Sequence, residues 1–226
     1  MLSHRRRERA IAIGLTALSG YVDALGFLAL GGYFVSFMSG NSTRLGVGTQ
    51  VGWWHATLPA ALIALFVAGV MLGTWVGRRG GPQRRSRVLT FVSLLLLLAA
   101  AAASLASPAH LAWPGLQRVA IACMVLAMGA ENTIFERNGE VTLGLTYMTG
   151  TLVKLGQRAM LALMGGDGSG WLWYLSIWLG LILGTALGAA AYSAVGLQAL
   201  WPAAAMALLA TLAMRRMPDT TAQKTS

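Results

Sequence analysis

Charged side chains are scarce in this chain, at 11% of 226 residues, where a soluble domain carries about 25%. Too little polar material is present to cover a water-facing surface, which excludes an ordinary soluble globule. Acidic residues are scarcer still, seven against seventeen Lys and Arg, for a net charge of +10. In a soluble protein that excess points to nucleic acid. Here the arginines cluster beside apolar runs, the pattern of cytoplasmic loops, so no nucleic-acid partner is expected. The single cysteine, Cys123, lies in an apolar run, which excludes an intramolecular disulfide and argues against a cysteine metal site. His4, His55 and His110 fall at predicted membrane edges, far in sequence from one another and from Asp23. A paired-histidine metal motif, a P-loop and a nucleophile elbow are all missing. The chain is therefore expected to be no enzyme and to use no metal and no cofactor.

What is present is apolar length. Hydrophobic residues make up 56% of the chain, and the mean hydropathy is +0.64. Several runs approach or exceed the ~18 residues that read as a membrane helix, so the lipid bilayer is the first expected partner. Six spans emerge: 10–30, 58–76, 88–107, 119–135, 171–191 and 197–214. The third, from Val88 to Ser107, carries no charge at all. Arg5, Arg6, Arg7 and Arg9 before the first run resemble the start of a signal peptide. The run from Ala10 to Leu30 is too long for a signal h-region, so it reads as a retained first span.

Between spans lie two stretches that echo each other. Phe37-Met38-Ser39-Gly40-Asn41 is matched by Tyr147-Met148-Thr149-Gly150-Thr151, 110 residues later. Each is followed by a cation and Leu-Gly: Arg44-Leu45-Gly46 and Lys154-Leu155-Gly156. The glycine ladder Gly69, Gly73, Gly77 corresponds to Gly180, Gly184, Gly188, with Leu-Gly-Thr around each middle glycine. Gly20, just before Asp23, matches Gly129, just before Glu131 and Asn132. Three landmarks in one order at nearly one offset predict an internal duplication. Each half then holds three full spans, an odd number, so the second half enters from the opposite face. The expected fold is an all-α integral membrane protein, six helices as two inverted three-helix repeats, each with a re-entrant or broken helix. One membrane domain covers 1–226, with repeat one at about 10–107, repeat two at about 116–214 and a cytoplasmic tail from 215 to 226.

Charge fixes the expected orientation. With both motif stretches re-entrant, fifteen of the seventeen Lys and Arg share a side with both termini, and only Arg44 and Arg118 lie opposite. That side is the cytoplasm by the positive-inside bias. Trp53, Trp54, Trp113 and Trp201 then fall near the outer interface, and Trp75, Trp171 and Trp173 near the inner one, as aromatic belts do.

Candidate functional residues follow from depth. Asp23 lies about 13 residues into the first span, roughly 20 Å along a helix. An aspartate there needs a cavity or a partner. It either binds a proton, cation or solute, or accepts hydrogen bonds from the backbone of the re-entrant stretch. Asn132, or Glu131 beside it, is its second-half counterpart, with Glu131 near enough to a span end to be solvated there. Ser39 or Asn41, and Thr149, are placed to cap half-helices, and Gly40 and Gly150 to admit close backbone approach. The positive end of such a half-helix favours anionic or polar groups. The glycine ladders suit close helix packing, inside the subunit or at a homodimer contact.

Gly20-Tyr21-Val22-Asp23-Ala24, Phe34-Val35 and Met38-Ser39-Gly40-Asn41, with Asn132 and Thr146-Tyr147-Met148-Thr149-Gly150 in the second half, resemble the signature of the YoaK family of bacterial membrane proteins. The resemblance runs from about Gly20 to Gly188 and implies a bacterial inner-membrane protein without implying a substrate. Ser39 stands where the family usually has Thr, and Glu131 where it usually has Gln. Together these readings point to a secondary transporter or channel for a small polar solute or ion, with Asp23, Ser39, Gly40, Asn41, Asn132, Thr149 and Gly150 at its site. The alternative is a non-transporting membrane scaffold or partner-binding subunit, in which Asp23 is wholly enclosed by donors.

Overall fold

The computed structural model describes residues 2–106, 114–137, 140–141, 147–166 and 170–215. His110, Trp113, Thr146 and the tail beyond Arg215 lie outside the described residues. Eight α-helices are present among them: α1 (Leu2–Ala29), α2 (Met38–Val51), α3 (Trp53–Arg78), α4 (Arg84–Leu105), α5 (Pro114–Glu131), α6 (Met148–Leu163), α7 (Gly170–Val195) and α8 (Leu200–Arg215). A two-residue antiparallel ladder, β1 (Glu136–Arg137) with β2 (Glu140–Val141), follows α5. Four helical segments are long and apolar enough to cross a membrane: Arg9–Ala29, Trp53–Arg78, Arg84–Leu105 and Gly170–Arg215, the last holding both α7 and α8. The chain is an all-α membrane protein. Five of the six predicted spans overlap these segments, whereas the fourth, 119–135, overlaps α5 and runs past its end at Glu131; the two glycine motifs open α2 and α6 at equivalent residues, Met38 and Met148.

Packing is organised by two parallel helix pairs. A Cβ placed on Gly180, Gly184 or Gly188 of α7 would meet Ile13, Ala17 or the Tyr21 backbone of α1, in that order. On Gly69 or Gly73 of α3 it would meet Leu126 or Ala130 of α5. Gly20 and Gly129 return the approach, against Leu181 on α7 and against Phe66 and Val70 on α3. Both glycine ladders are thus used within the chain. Inside a bilayer apolar burial drives no association between helices, so close backbone contact and dispersion hold such pairs together.

Helix α4 packs on α5 and α8, with Val88, Leu89, Val92, Leu96, Ala99 and Ala100 fully buried. It runs antiparallel to α8. Ser86 accepts from the Arg215 Nε at 3.3 Å, Ser93 and Thr211 share a bond at 3.0 Å, and Trp201 donates to Ser104 at 3.0 Å. Helix ends carry stacked arginine–tryptophan pairs, Arg9 over Trp173 and Arg79 over Trp75, 5.2 Å and 3.9 Å from the ring centres. The first contact puts the start of α7 level with Arg9 of α1.

The two kinds of glycine make opposite predictions. Gly184→Ala would drive a methyl into the Ala17 carbonyl and should cost about 1–3 kcal/mol, as over-packing does. Gly46 of α2 has open space around it, so Gly46→Ala should gain roughly 0.5–1 kcal/mol of helix stability. Thermal unfolding of both variants in one detergent checks the contrast; equal effects would mean that α1 and α7 are not in backbone contact.

Candidate functional site

The site is built where α1 ends and the chain turns back. From Ala29 the backbone passes through Gly31 and Gly32, both at positive φ, a conformation glycine reaches without steric cost. It then returns along α1. The amides of Val35 and Ser36 donate to Asp23 Oδ1 at 2.9 and 2.8 Å. Asp23 stands six residues before the end of α1, about 9 Å back at 1.5 Å per residue. The loop therefore re-enters to that depth before α2 begins at Met38.

Asn41 holds the other side of the loop. Fully buried, it accepts from the Phe34 amide at 3.1 Å and donates to the Phe34 carbonyl at 2.7 Å, with a further contact to Met38 sulfur at 3.5 Å. Its amide copies a neighbouring strand and satisfies both polar groups of one residue. Phe34 stacks on Phe27 and edge-on to Phe37, with ring centres 5.0 and 5.2 Å apart. A Cβ on Gly40 would fall 2.8 Å from the Phe34 ring and 2.9 Å from that of Phe37, so glycine at 40 makes room for the aromatic pair. Gly26 likewise clears the Val35 side chain.

Capping works differently from the sequence expectation. The N-cap positions are Phe37 and Tyr147, and neither makes a side-chain cap bond. Ser39 and Thr149 are exposed, one residue inside their helices, and Asn41 is already committed to Phe34. The positive end of α2 instead meets the Asp23 carboxylate through the loop amides, which places a negative charge where the helix dipole favours it. The chain's own aspartate occupies the place predicted for an anion.

From α2 the chain turns at Gly52 into α3, and Gly48 lies against the backbone of His55 and Ala56. One face of α2 packs there. The exposed residues are Ser39, Ser42, Thr43, Arg44, Gly46, Thr49 and Gln50, with Val47 and Val51 among them. The Ser42, Thr43 and Thr49 hydroxyls donate to carbonyls of their own helix, and Arg44 lies 4.9 Å over the Tyr33 ring.

In the second half Asn132 is buried and donates to the Met128 carbonyl at 2.9 Å. Gly150 opens α6 with free space around it, unlike Gly40. A shallow hollow on α6 is lined by Gln157, Arg158, Met160 and Leu161, none of which belongs to the Asp23 network.

A family model described as a protein of unknown function (DUF1275) matches residues 11–213. The chain belongs to this family. It is similar to the UPF0700 transmembrane protein RA0705 of Rhizobium meliloti strain 1021, 33% identical over 223 residues, 95% of this chain and 91% of that one. The UPF0700 transmembrane protein YoaK of Bacillus subtilis strain 168 is 28% identical over 151 residues, 62% of each chain. No solved structure matches. Membership bears out the resemblance read from the Asp23 and glycine motifs, and with the apolar helices it makes this family member a multi-pass membrane protein.

Two residues take roles that this family member's sequence did not assign them. Phe34, named there only within the family signature, carries the backbone that Asn41 binds. Glu131, expected to be solvated at a span end, is instead fully buried, 2.7 Å from Ser19 of α1.

Asp23→Ala leaves two loop amides without an acceptor and should cost roughly 2–4 kcal/mol. Asp23→Asn keeps an acceptor oxygen and should cost about 1 kcal/mol. Thermal unfolding of the purified variants measures both, and equal losses would show that the loop does not depend on Asp23.

Proposed function

We propose that this chain is a secondary transporter or channel for a small polar or ionic solute. On this reading six spans form two inverted repeats in a bacterial cytoplasmic membrane, with both termini cytoplasmic, and the chain is not an enzyme. The parallel pairing supports the repeat. Helix α1 packs on α7, and α5, its counterpart by the offset from Gly20 to Gly129, packs on α3, the counterpart of α7. The antiparallel crossing of α4 and α8 supports it too. Two inverted units would exchange helices in this way, and transporters are commonly built from such units around a midplane site.

The observation that carries the transport reading is the open face of α2. A helix that starts at the depth of Asp23 turns Ser39, Arg44 and Gln50 outward alongside three hydroxyls. Acyl chains offer no hydrogen bonds, and irregular backbone at membrane depth is tolerated only against protein or a water-filled path. Water and solute are the partners that fit this face. A separate observation favours a non-transporting, partner-binding subunit. The Asp23 and Asn41 side chains are spent on Val35, Ser36 and Phe34, which is what a purely structural role requires.

Thermal stability across a panel of small anions, cations and neutral metabolites separates the two. A ligand at about 100 times its Kd adds about 2.7 kcal/mol to the folded state. A stabilising solute whose effect is lost in Thr43→Leu, on the open face, is the expected result. No stabilisation by any panel member, together with Thr43→Leu as stable as the wild type, would favour the partner-binding subunit.

A further inference from the structure

We infer that Glu131 is a proton-binding site, a carboxyl that holds its proton against Ser19 where α5 of one half meets α1 of the other. Glu131 closes α5 and is fully buried, as is Ser19. Glu131 Oε2 lies 2.7 Å from Ser19 Oγ, and the same Oγ lies 3.1 Å from the Leu15 carbonyl. A serine hydroxyl has one hydrogen, so it cannot donate to both oxygens. Both contacts are satisfied when Oε2 carries a proton and donates it to Ser19 Oγ, while the Ser19 hydrogen goes to Leu15. The other oxygen, Oε1, is buried without a hydrogen-bond partner among the described residues. An ionised carboxylate would leave charge on that bare oxygen, the most costly group to bury, whereas a neutral carboxyl leaves only a carbonyl there.

Among the described residues no cation pairs with Glu131. From α1 it faces Ser19, and Asp23 one turn on has its Oδ1 engaged by Val35 and Ser36. From α3 it meets the level of Gly73, which abuts Ala130 and Thr133 and brings no ionisable group. From α4, Arg84 donates to the Thr133 carbonyl at 3.2 Å and Arg85 lies over the Phe135 ring. On α5 itself the nearest cation is Arg118, roughly 20 Å away along the helix.

The proton sits on the contact between the halves, so loading and unloading it requires that contact to loosen. It would thereby be the coupling ion of the transport cycle, a consequence that rests on the transport reading; the proton site itself does not. The test needs no substrate. Infrared difference spectra of the purified protein at neutral pH should show a protonated-carboxyl C=O band that disappears in Glu131→Gln and shifts to higher frequency in Ser19→Ala. A proton held only by the folded state stabilises it less as pH rises. The melting temperature of the wild type should therefore fall between pH 6 and 9 more steeply than that of Glu131→Gln. Identical carboxyl bands in the wild type and Glu131→Gln overturn the proton site and leave the transport reading untouched. If Glu131→Gln does not fold, an unshifted band in Ser19→Ala does the same. Should the panel yield a stabilising solute, its effect should vary with pH in the wild type and not in Glu131→Gln. A band that behaves as expected with no solute found supports the proton site and counts against transport.

Discussion

The fold depends on one requirement of the bilayer, that every backbone amide and carbonyl at depth find a partner inside the protein. Helices meet it for themselves. The return from α1 to α2 does not, and the sequence places two side chains to meet it from opposite sides: Asp23 takes the Val35 and Ser36 amides, and Asn41 takes both polar groups of Phe34. Either alone would leave part of the loop unsatisfied. With both in place, α2 starts within the protein and can run back towards the turn at Gly52.

A second requirement follows from the first. Helices that satisfy their own backbone are held together by close contact, since apolar burial drives no association in a bilayer. Gly184 against Ala17 and Gly73 against Ala130 bring backbone to backbone, which larger side chains forbid. Helix α4 buries Val88, Leu89, Val92, Leu96, Ala99 and Ala100 in packing on α5 and α8. The polar bonds of α4 to α8, Ser93 with Thr211 and Ser104 with Trp201, set the register of that crossing, a role suited to an environment in which apolar side chains slide past each other at little cost.

Much of this was legible in the sequence, because its signals are local. Run length marked the helices, the Met-Ser-Gly-Asn and Met-Thr-Gly-Thr echoes marked where α2 and α6 begin, and a backbone partner was one of the two readings open for an aspartate at depth. What stayed hidden depends on pairings across the chain. Asn41 was read as a cap because it follows a helix start, but its buried amide finds Phe34, seven residues back, already shaped to receive it. Glu131 was read as solvated because it stands near a span end. Ser19 lies 112 residues away, and no spacing in the chain announces that contact. Homodimer contacts through the glycine ladders were equally compatible with the sequence; only the registers of α1 with α7 and α3 with α5 show these glycines in use within the chain.

The two acids divide the work by a shift of one residue. On the offset that carries Gly20 to Gly129, Asp23 corresponds to Asn132, and Glu131 to Val22. One position on a helix is a rotation of about 100°. In the first half the acid at the later position faces the chain's own returning loop, where amides hold it fixed. In the second half the amide Asn132 takes that later position, and the acid, one step earlier, is turned instead towards Ser19 in the opposite half. A carboxylate bound by backbone amides of its own repeat is an anchor. On the proposed transport reading, a carboxyl between the two repeats would change its surroundings whenever they moved, the position from which a proton would be exchanged.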